Sequence, residues 1–249
     1  MRKEHFLKMN YTRIFSDQNF SFGNQLSLSS EATMHMTKVL RKKKGSLVKL
    51  FDGKGTSCIA EIISQKTNVL EVKVVQEKQF YSRQGTKIFL GLSLVKSDPF
   101  NFSIQKATEL GVVLISPLNT ERTVVKLKDS SLTTKHSRWK MIAIGACEQC
   151  GEDWLPKIDG LQDFSSWCKS VRAKQKIVLY PEAQTKISDL SFGKSVAVAI
   201  GPEGDFTKQE IVLFEENGFI PVTVGRRILR SETAVVSALS AIRTMCREF

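Results

Sequence analysis

The chain has 249 residues, enough for one large or two small domains, and its 41% hydrophobic and 25% charged residues are ordinary for a globular protein. The longest apolar runs are only a few residues, so we expect no membrane span, and the basic N-terminus lacks the apolar core of a secretory signal. Five scattered cysteines, an odd number, favour reduced thiols and a cytoplasmic protein.

Positive charge is concentrated near the N-terminus. Residues 1–83 carry 15 Lys and Arg against 7 Asp and Glu, whereas residues 84–249 carry 22 against 18, for a total of +12. A basic segment favours a polyanionic partner, because each neutralised phosphate releases condensed counterions. Solubility alone explains the charge about as well. An anionic membrane is disfavoured, since no basic amphipathic helix accompanies the charge.

Residues 1–80 have the pattern of a small, mostly β domain. Ser46–Phe51 and Thr56–Ile63 flank Asp52-Gly53-Lys54-Gly55, which is a strong hairpin signal, and Val69–Val75 predicts a further strand. A short helical pattern before Gly45 ends in Arg41-Lys42-Lys43-Lys44. Such a run is usually a solvated face, but within this basic segment it is also a candidate to follow a phosphate backbone.

A polar stretch over residues 78–85 predicts a linker, and from Thr86 onward strands and helices alternate. This alternation predicts an α/β domain with a mostly parallel sheet and helices on both faces. The predicted strands are Lys87–Val95, Val112–Pro117 and Lys176–Tyr180; one predicted helix starts at the N-cap Asp98 and ends before Gly111, and another spans Thr134–Gly151.

The most informative stretch is residues 195–245. Val196–Ile200 is an uncharged, β-branched run typical of a buried strand, and it ends in Gly201-Pro202-Glu203-Gly204. Thr207, with Glu210 three residues on, predicts a capping box at the start of the next helix.

A second strand of this stretch, Ile220–Val224, is predicted to be buried and ends in the glycine- and arginine-containing residues 225–230. Ser231 is predicted to cap the last helix. Ligands of open α/β sheets bind at the carboxyl ends of strands. With Pro181-Glu182-Ala183, three such loops are suited to enclose a flat adenine by backbone hydrogen bonds.

Other nucleotide and metal signatures are missing from the sequence. There is no Gly-Lys-Ser/Thr phosphate loop and no GxGxxG after a strand, so the usual indications of ATP or NAD binding are lacking. Cys147 and Cys150 have no second Cys or His pair at zinc spacing, and we expect no metal.

Ile200–Gly204 (IGPEG) followed by residues 225–234 (GRRILRSETA) resembles the ribosomal RNA small subunit methyltransferase E family, whose members are S-adenosylmethionine-dependent enzymes of the SPOUT superfamily that methylate N3 of a uridine in 16S rRNA. The resemblance runs from about Arg13 to Thr244. Further matching segments are His35-x3-Val39-Leu40-Arg41, Phe51-Asp52-Gly53-x-Gly55, Gln105-Lys106-Ala107-Thr108-Glu109-Leu110-Gly111 and Glu148-Gln149.

The resemblance implies a PUA-like β-barrel RNA-binding domain in residues 1–80 and a SPOUT methyltransferase domain in residues 81–249. It also implies a deep trefoil knot at the C-terminus, where periodicity alone predicts an ordinary doubly wound domain, because chains rarely knot. The implied partners are 16S rRNA, within an assembled small ribosomal subunit, and a second copy of the chain that pairs through the C-terminal domain.

The resemblance further assigns roles to individual residues. Arg230 is expected to stabilise charge on the uridine, Glu232 to accept or orient the N3 proton, and Glu203 to brace the cofactor loop. The expected S-adenosylmethionine-binding residues are Leu179, Tyr180, Pro181, Glu182, Ile200, Gly201, Pro202, Glu203, Gly204, Val224, Gly225, Ile228 and Leu229. The expected RNA-binding residues are Arg13, Arg41, Lys42, Lys43, Lys96, Lys106, Arg122 and Arg138.

Two positions depart from the family pattern. Asp205 replaces the last glycine of the usual GPEGG, and Cys150-Gly151-Glu152 stands where Ser-Gly-Arg is usual, which removes one positive charge. Two other functions remain open: a non-catalytic RNA-binding or ribosome-assembly protein on the same fold, and a SPOUT ribose 2′-O-methyltransferase acting on tRNA. The segment at residues 225–234 argues against the latter.

Overall fold

The structure is a computed structural model that describes residues 11–66, 69–125 and 129–249. The chain divides into two compact units. The first consists of residues 1–83 together with Cys147–Leu155, and the second of Gln84–Ala146 and Pro156–Phe249. The predicted domain boundary between residues 80 and 81 stays a prediction, and the inclusion of Cys147–Leu155 in the first unit was not indicated by any sequence pattern.

The first unit contains a sheet with the strand order β1-β3-β4-β5-β2, in which β6 also pairs with β4. The β1–β3 pair is parallel and the other pairs are antiparallel. The elements are β1 (Thr12–Phe15), β2 (Gln25–Ser27), α1 (Ser30–Met34) continued by a π-helical turn (His35–Val39), β3 (Leu47–Phe51), β4 (Thr56–Lys66), β5 (Val69–Val74) and β6 (Gln79–Phe80). The predicted linker is wrong in part, because two of its residues form β6.

The predicted hairpin is confirmed as β3 and β4, with Phe51 opposite Ser57. Asp52 closes the turn, because its Oδ1 accepts the N–H groups of Lys54 at 2.7 Å and Thr56 at 2.9 Å. Gly55 has φ +90°, and a Cβ there would lie 2.6 Å from the Trp154 ring. Both the backbone conformation and the packing therefore require glycine at this position.

Asp153 joins the segment Cys147–Leu155 to the first unit. Its carboxylate accepts hydrogen bonds from Arg13 Nη2 at 2.5 Å and Ser57 Oγ at 2.8 Å, and Lys49 Nζ lies 3.4 Å away. Asp153 and Arg13 are both nearly buried, so the pair offsets the cost of removing two charges from water.

The second unit contains one parallel sheet with the order β10-β8-β7-β13-β11-β14-β12, and β9 pairs with β8. Its strands are β7 (Lys87–Ser93), β8 (Leu114–Asn119), β9 (Lys157–Ile158), β10 (Gln162–Asp163), β11 (Gln175–Leu179), β12 (Thr185–Lys186), β13 (Ser195–Ile200) and β14 (Ile220–Thr223). The helices are α2 (Ser97–Glu109), α3 (Asp129–Cys150), whose residues from Cys147 onward belong to the first unit, α4 (Phe164–Ser170), α5 (Lys208–Glu216) and α6 (Ser231–Met245). The predicted parallel α/β architecture is confirmed.

The burial of two predicted core strands differs. Val196–Ile200 of β13 are at most 1% exposed, as predicted, because β13 lies between β7 and β11. In β14 the prediction is wrong, since Ile220 is 39% exposed and Val222 alone is buried. The outer neighbour of β14 is β12, whose two residues cover little of it.

Two helix ends predicted from local sequence signals are confirmed, and a third is not. Thr207 and Glu210 form the predicted capping box, with bonds of 2.8 and 3.2 Å between each side chain and the other residue's N–H. Gly111 follows α2 at φ +73°, as predicted. The predicted N-cap Asp98 is wrong, because α2 begins at Ser97 with Lys96 as N-cap.

A buried arginine ties α6 to the start of the second unit. Arg243 is 8% exposed and donates to the carbonyl oxygens of Thr86 at 2.9 Å, Leu110 at 2.8 Å and Gly111 at 2.7 Å, and it pairs with Glu248. These bonds satisfy backbone acceptors that would otherwise be buried without partners.

No helix in the described part of the chain is long and apolar enough to cross a membrane. The trefoil knot stays a prediction.

Candidate functional site

A cleft opens at the carboxyl ends of β11, β13 and β14, which are neighbours in the sheet. It encloses about 550 Å³ of space, part of it open to solvent. Its wall consists of Leu179, Tyr180, Pro181, Ile200, Gly201, Pro202, Glu203, Asp205, Val222, Thr223, Val224, Arg227, Ile228, Leu229, Ser231 and Ala234.

Most residues predicted to bind a cofactor lie in this wall. Glu182, Gly204 and Gly225 do not, although each belongs to one of the three loops. The two predicted catalytic residues, Arg230 and Glu232, are also outside the wall and flank Ser231, which is part of it.

The wall residues missed by sequence reasoning are Asp205, Val222, Thr223, Arg227, Ser231 and Ala234. The prediction that Ser231 caps the last helix is wrong. The N-cap of α6 is Arg230, and Ser231 Oγ instead donates to the Gly201 carbonyl oxygen at 3.0 Å. The sequence could have indicated Asp205 as a site residue, because a carboxylate replaces glycine at that position of the family pattern.

The β13–α5 loop (residues 201–207) is held by several bonds. Asp205 N donates to Pro202 O at 3.0 Å, and Arg122 Nη1 donates to Gly204 O at 2.7 Å. Phe206, 1% exposed, packs edge-on against Phe214 with 5.0 Å between ring centroids. The chain therefore builds this side of the cleft without help from a ligand.

The β14–α6 loop (residues 224–230) has few bonds of its own. Thr223 Oγ1 donates to Gly225 O at 2.8 Å and accepts from Gly225 N at 3.3 Å. Among the residues that the structure describes, none accepts a hydrogen bond from the backbone N–H of Ile228 or Leu229. Ile228 is 85% exposed although it borders the cleft.

Several carboxylates and a phenol lie at the cleft. Tyr180 donates to Glu182 Oε2 at 3.1 Å, and burial, followed by this bond, raises the pKa of Tyr180. Burial also raises the pKa of Asp205, while the N–H of Phe206 and the charge of Arg122 oppose that rise. The deep wall is apolar, with Leu179, Ile200, Val222 and Ala234 at most 8% exposed.

The arrangement suits one kind of ligand. Apolar side chains line the depth of the cleft, unpaired backbone N–H groups lie on one loop, and carboxylates lie on another. Such a wall can enclose a flat ring, recognise its polar edge through the backbone and attract positive charge.

Comparison with known protein families shows which proteins this chain is similar to. A family model described as an RNA methyltransferase domain matches residues 82–243, and a model of an RNA methyltransferase PUA domain matches residues 28–75. A ribosomal RNA small subunit methyltransferase E from Buchnera aphidicola subsp. Schizaphis graminum is 33% identical over 239 residues, which cover 95% of this chain and 97% of the relative. The chain belongs to the ribosomal RNA small subunit methyltransferase E family.

Further members of the family and solved structures agree with this assignment. A member from Bacillus subtilis is 29% identical over 87% of this chain and 88% of its own length. A Legionella pneumophila protein solved with the bound cofactor SAM has a TM-score of 0.91 at 33% identity, covering 95% of this chain and 98% of that one. A member from Neisseria gonorrhoeae bound to S-adenosyl methionine has a TM-score of 0.86 at 29% identity, covering 95% and 98%.

In this family member, the basic residues predicted to bind RNA differ in exposure. Arg41, Lys43, Lys96, Arg122 and Arg138 are exposed, and Lys42 is half-buried. Arg122 nevertheless has a bond to the β13–α5 loop.

Two of the predicted RNA-binding residues are engaged within the protein. Arg13 is bonded to Asp153 and to the Glu152 carbonyl oxygen, and its guanidinium lies 4.7 Å from the centre of the Phe51 ring. These contacts argue against an RNA contact by Arg13. Lys106 pairs with Glu109 at 2.9 Å, but it stays partly exposed.

Proposed function

We propose that this chain is an S-adenosylmethionine-dependent methyltransferase that forms N3-methyluridine in 16S rRNA of the small ribosomal subunit. The observation that carries the proposal is the cleft at the ends of β11, β13 and β14, in a chain that belongs to this family. The cleft combines a buried apolar wall with backbone N–H groups that have no acceptor among the described residues.

The residues of the cleft fit the proposed cofactor. Leu179, Ile200 and Ala234 offer an apolar enclosure for an adenine ring, and the N–H groups of Ile228 and Leu229 are available for its acceptor nitrogens. A side chain at Gly201 would have to displace its neighbours, since a Cβ there would lie 3.0 Å from Asp205 Oδ1 and 3.2 Å from the Phe206 ring. When bound, S-adenosylmethionine supplies an electrophilic methyl group.

Arg230 is proposed to stabilise the reacting base. It is exposed at the N-cap of α6, and among the described residues its guanidinium has no hydrogen-bond or ion-pair partner. Loss of the N3 proton places negative charge on O2 and O4 of uridine, which a guanidinium can stabilise through two hydrogen bonds. The N-terminus of α6 adds a favourable potential at the same place.

Glu232 is proposed to accept or orient the N3 proton. It lies in the first turn of α6, two residues from Arg230, and is half-buried. A neutral imide nitrogen is a poor nucleophile, so proton removal at N3 has to accompany methyl transfer. The uridine must also be unstacked before it can reach the cleft.

The first unit is proposed to supply RNA affinity. It carries the basic run at residues 41–44, in which only Lys42 is half-buried, and the match to the RNA methyltransferase PUA domain. Changing Arg41, Lys42 and Lys43 to Ala should weaken RNA binding and reduce the log–log salt slope by about 0.7 to 0.9 for each lost phosphate contact, with cofactor affinity unchanged. An unchanged slope would show that the run is only a solvated face.

The assignment of residues 1–80 and 81–249 as PUA-like and SPOUT domains, a cytoplasmic location and action on the assembled subunit are part of the same proposal. So is a homodimer through the C-terminal domain. The apolar stripes around Trp139 and Leu239 lend the dimer no support, because both residues are buried within the chain. Sedimentation of an active monomer at micromolar concentration would contradict the dimer.

The decisive experiment identifies the product. The protein is incubated with methyl-labelled S-adenosylmethionine and small ribosomal subunits that lack the modification, and the rRNA is digested to nucleosides for mass analysis. The proposal expects labelled N3-methyluridine. Labelled 2′-O-methylribose would favour the ribose methyltransferase. Cofactor binding without any labelled product, on either subunits or naked rRNA, would favour a non-catalytic RNA-binding protein.

A further inference from the structure

Asp205 combines an unusual backbone with a position in the cleft. Its φ is +60°, a left-handed conformation that favours glycine. The other non-glycine residues with positive φ in the described chain, Arg41 and Arg247, lie outside the cleft wall, whereas Asp205 is part of it. Backbone strain of this kind collects at sites where a side chain has a task to perform.

The Asp205 carboxylate is only partly satisfied by the protein. Oδ1 accepts the N–H of Phe206 at 2.8 Å. It also lies over Gly201, where a Cβ would approach within 3.0 Å of it. Within the described residues, no group donates a hydrogen bond to Oδ2, although an ionised carboxylate can accept about four.

Within the described residues, no cation forms an ion pair with Asp205. Arg122 is the basic group that acts on it, but its guanidinium donates to Gly204 O, and the described residues contain no ion pair between Arg122 and Asp205. The negative charges of Glu182 and Glu210 act on Asp205 as well, and each raises its pKa. A half-buried carboxylate in these surroundings is well suited to a cationic ligand group.

We propose that Asp205 is a specificity-determining residue that binds the positively charged sulfonium-and-ammonium half of S-adenosylmethionine. The proposal rests on the proposed function and adds to it the residue that recognises ligand charge. The apolar depth of the cleft is then left for the adenine, while Asp205 at the β13–α5 loop discriminates charged from uncharged adenosyl compounds.

A merely structural role makes a different prediction. If Asp205 only stabilises the left-handed turn, its replacement should affect every adenosyl ligand alike. Asp205→Asn keeps an acceptor for the Phe206 N–H and tolerates positive φ, but it removes the charge. Asp205→Gly removes the charge and also the backbone strain of a positive φ. A result that both variants share is therefore due to the loss of charge.

The test is calorimetric binding of S-adenosylmethionine and of methylthioadenosine, which keeps the adenosine and thioether but has neither positive charge. For both variants we expect the affinity for S-adenosylmethionine to fall about 10- to 100-fold, as for loss of a charged hydrogen bond. The affinity for methylthioadenosine should stay within about twofold. Glu216→Gln, an exposed acid outside the cleft, is the matched control and should change neither affinity.

Equal losses for both ligands, or no loss for either, in variants with unaltered thermal unfolding would overturn the proposal and leave the proposed function standing. If the wild-type protein binds neither compound, the proposed function fails as well, and the two failures are thereby distinguished. If the proposal is supported, the affinity of each variant for S-adenosylhomocysteine shows which of the two charges Asp205 recognises, since this compound keeps the ammonium but lacks the sulfonium.

Discussion

The β13–α5 loop and the β14–α6 loop follow strands of one parallel sheet and precede helices, yet they are built differently. In the first loop, Phe206 is buried, the capping box closes the helix, and Ser231 and Arg122 bond to its carbonyl oxygens. In the second, Ile228 is exposed and two consecutive N–H groups have no acceptor among the described residues.

The difference separates two requirements of a binding site. A wall formed by internal contacts fixes the shape of the cleft before any ligand arrives, which lowers the entropic cost of binding. Groups that are to contact a ligand must instead stay free of protein partners, and a loop made of such groups has low local stability. The first loop therefore supplies shape, and the second supplies contacts.

The largest expected effect is the loss of kcat when Arg230 of the second loop is replaced. Arg230→Ala should lower kcat by about 10²- to 10³-fold, because a charge-stabilising contact is lost. Affinity for S-adenosylmethionine should be unchanged, since Arg230 lies outside the cleft wall. Arg226→Ala, also exposed in the same loop, is the matched control. Equal rates for the two variants in a methyl-transfer assay would remove the role proposed for Arg230.

Hydrogen exchange tests the comparison directly. Amides of Ile228 and Leu229 should exchange about two orders of magnitude faster than those of Phe206 and Glu210. Phe206 is buried in the core, and the N–H of Glu210 is bonded within the capping box. Added S-adenosylmethionine should slow exchange mainly in the second loop. Uniform protection of both loops in the free protein would show that the difference does not exist.

Crowding the first loop should weaken cofactor binding. In Gly201→Val the new side chain meets Asp205 at 3.0 Å and the Phe206 ring at 3.2 Å, and overpacking of this kind costs about 1–3 kcal/mol. We expect a loss of affinity of about 5- to 150-fold by calorimetry.

Three other glycines set the scale for this loss. At Gly204 a Cβ would meet only the flexible Arg122 side chain at 3.4 Å, and at Gly225 and Gly193 it would meet nothing within 4 Å. By these distances Gly201 is the most crowded of the four glycines, whereas Gly225, at φ +158°, has a backbone conformation that disfavours a side chain even though no atom lies near. A Gly204→Val loss as large as that of Gly201→Val would contradict the steric ranking.

The bond between Ser231 and Gly201 joins α6 to the first loop. Ser231→Ala leaves a buried carbonyl oxygen without its donor, which should lower the free energy of unfolding by about 1–2 kcal/mol. The melting temperature should fall by about 2–8 °C. Ser237→Ala, on the same helix, is the control and should not destabilise. An unchanged melting temperature for Ser231→Ala would mean that water replaces the hydroxyl.

The smallest effect is the pH dependence conferred by Asp205. Because burial raises its pKa in the folded protein, the native state binds the proton more tightly than the unfolded chain, and ionisation costs stability. Unfolding free energy should therefore fall as pH rises through the window that starts at the ordinary value of 3.8 and ends at the raised one. Asp205→Asn should lack this component, so its stability relative to wild type should rise across that window. A parallel pH profile for both proteins would contradict this.

Local signals predicted the framework of the cleft well. The β-branched run before Gly201, the capping box at Thr207 and the glycine after α2 depend on interactions within a few residues, and each is confirmed. Three strand ends in one sheet were enough to predict that their loops converge.

Predictions that depended on distant partners were less accurate. Ser231 has a cap-like sequence context, but its hydroxyl bonds to a residue 30 positions away. Arg13 is basic within a basic segment, but its charge is paired with Asp153, which is 140 positions away. Neither partner can be found from spacing, because long-range contacts leave no period in the sequence.

By itself, the sequence determined the alternation of elements, the positions of the glycine-containing loops and the family, since these depend on short-range backbone preferences and motif identity. Only the tertiary structure decided which loop is held by internal bonds, which glycine is crowded and which carboxylate oxygen accepts no hydrogen bond from the described residues. Those properties depend on which side chains and carbonyl groups are brought together by folding, as with Asp205, Gly201 and Phe206, where distances of a few tenths of an ångström separate contact from clash.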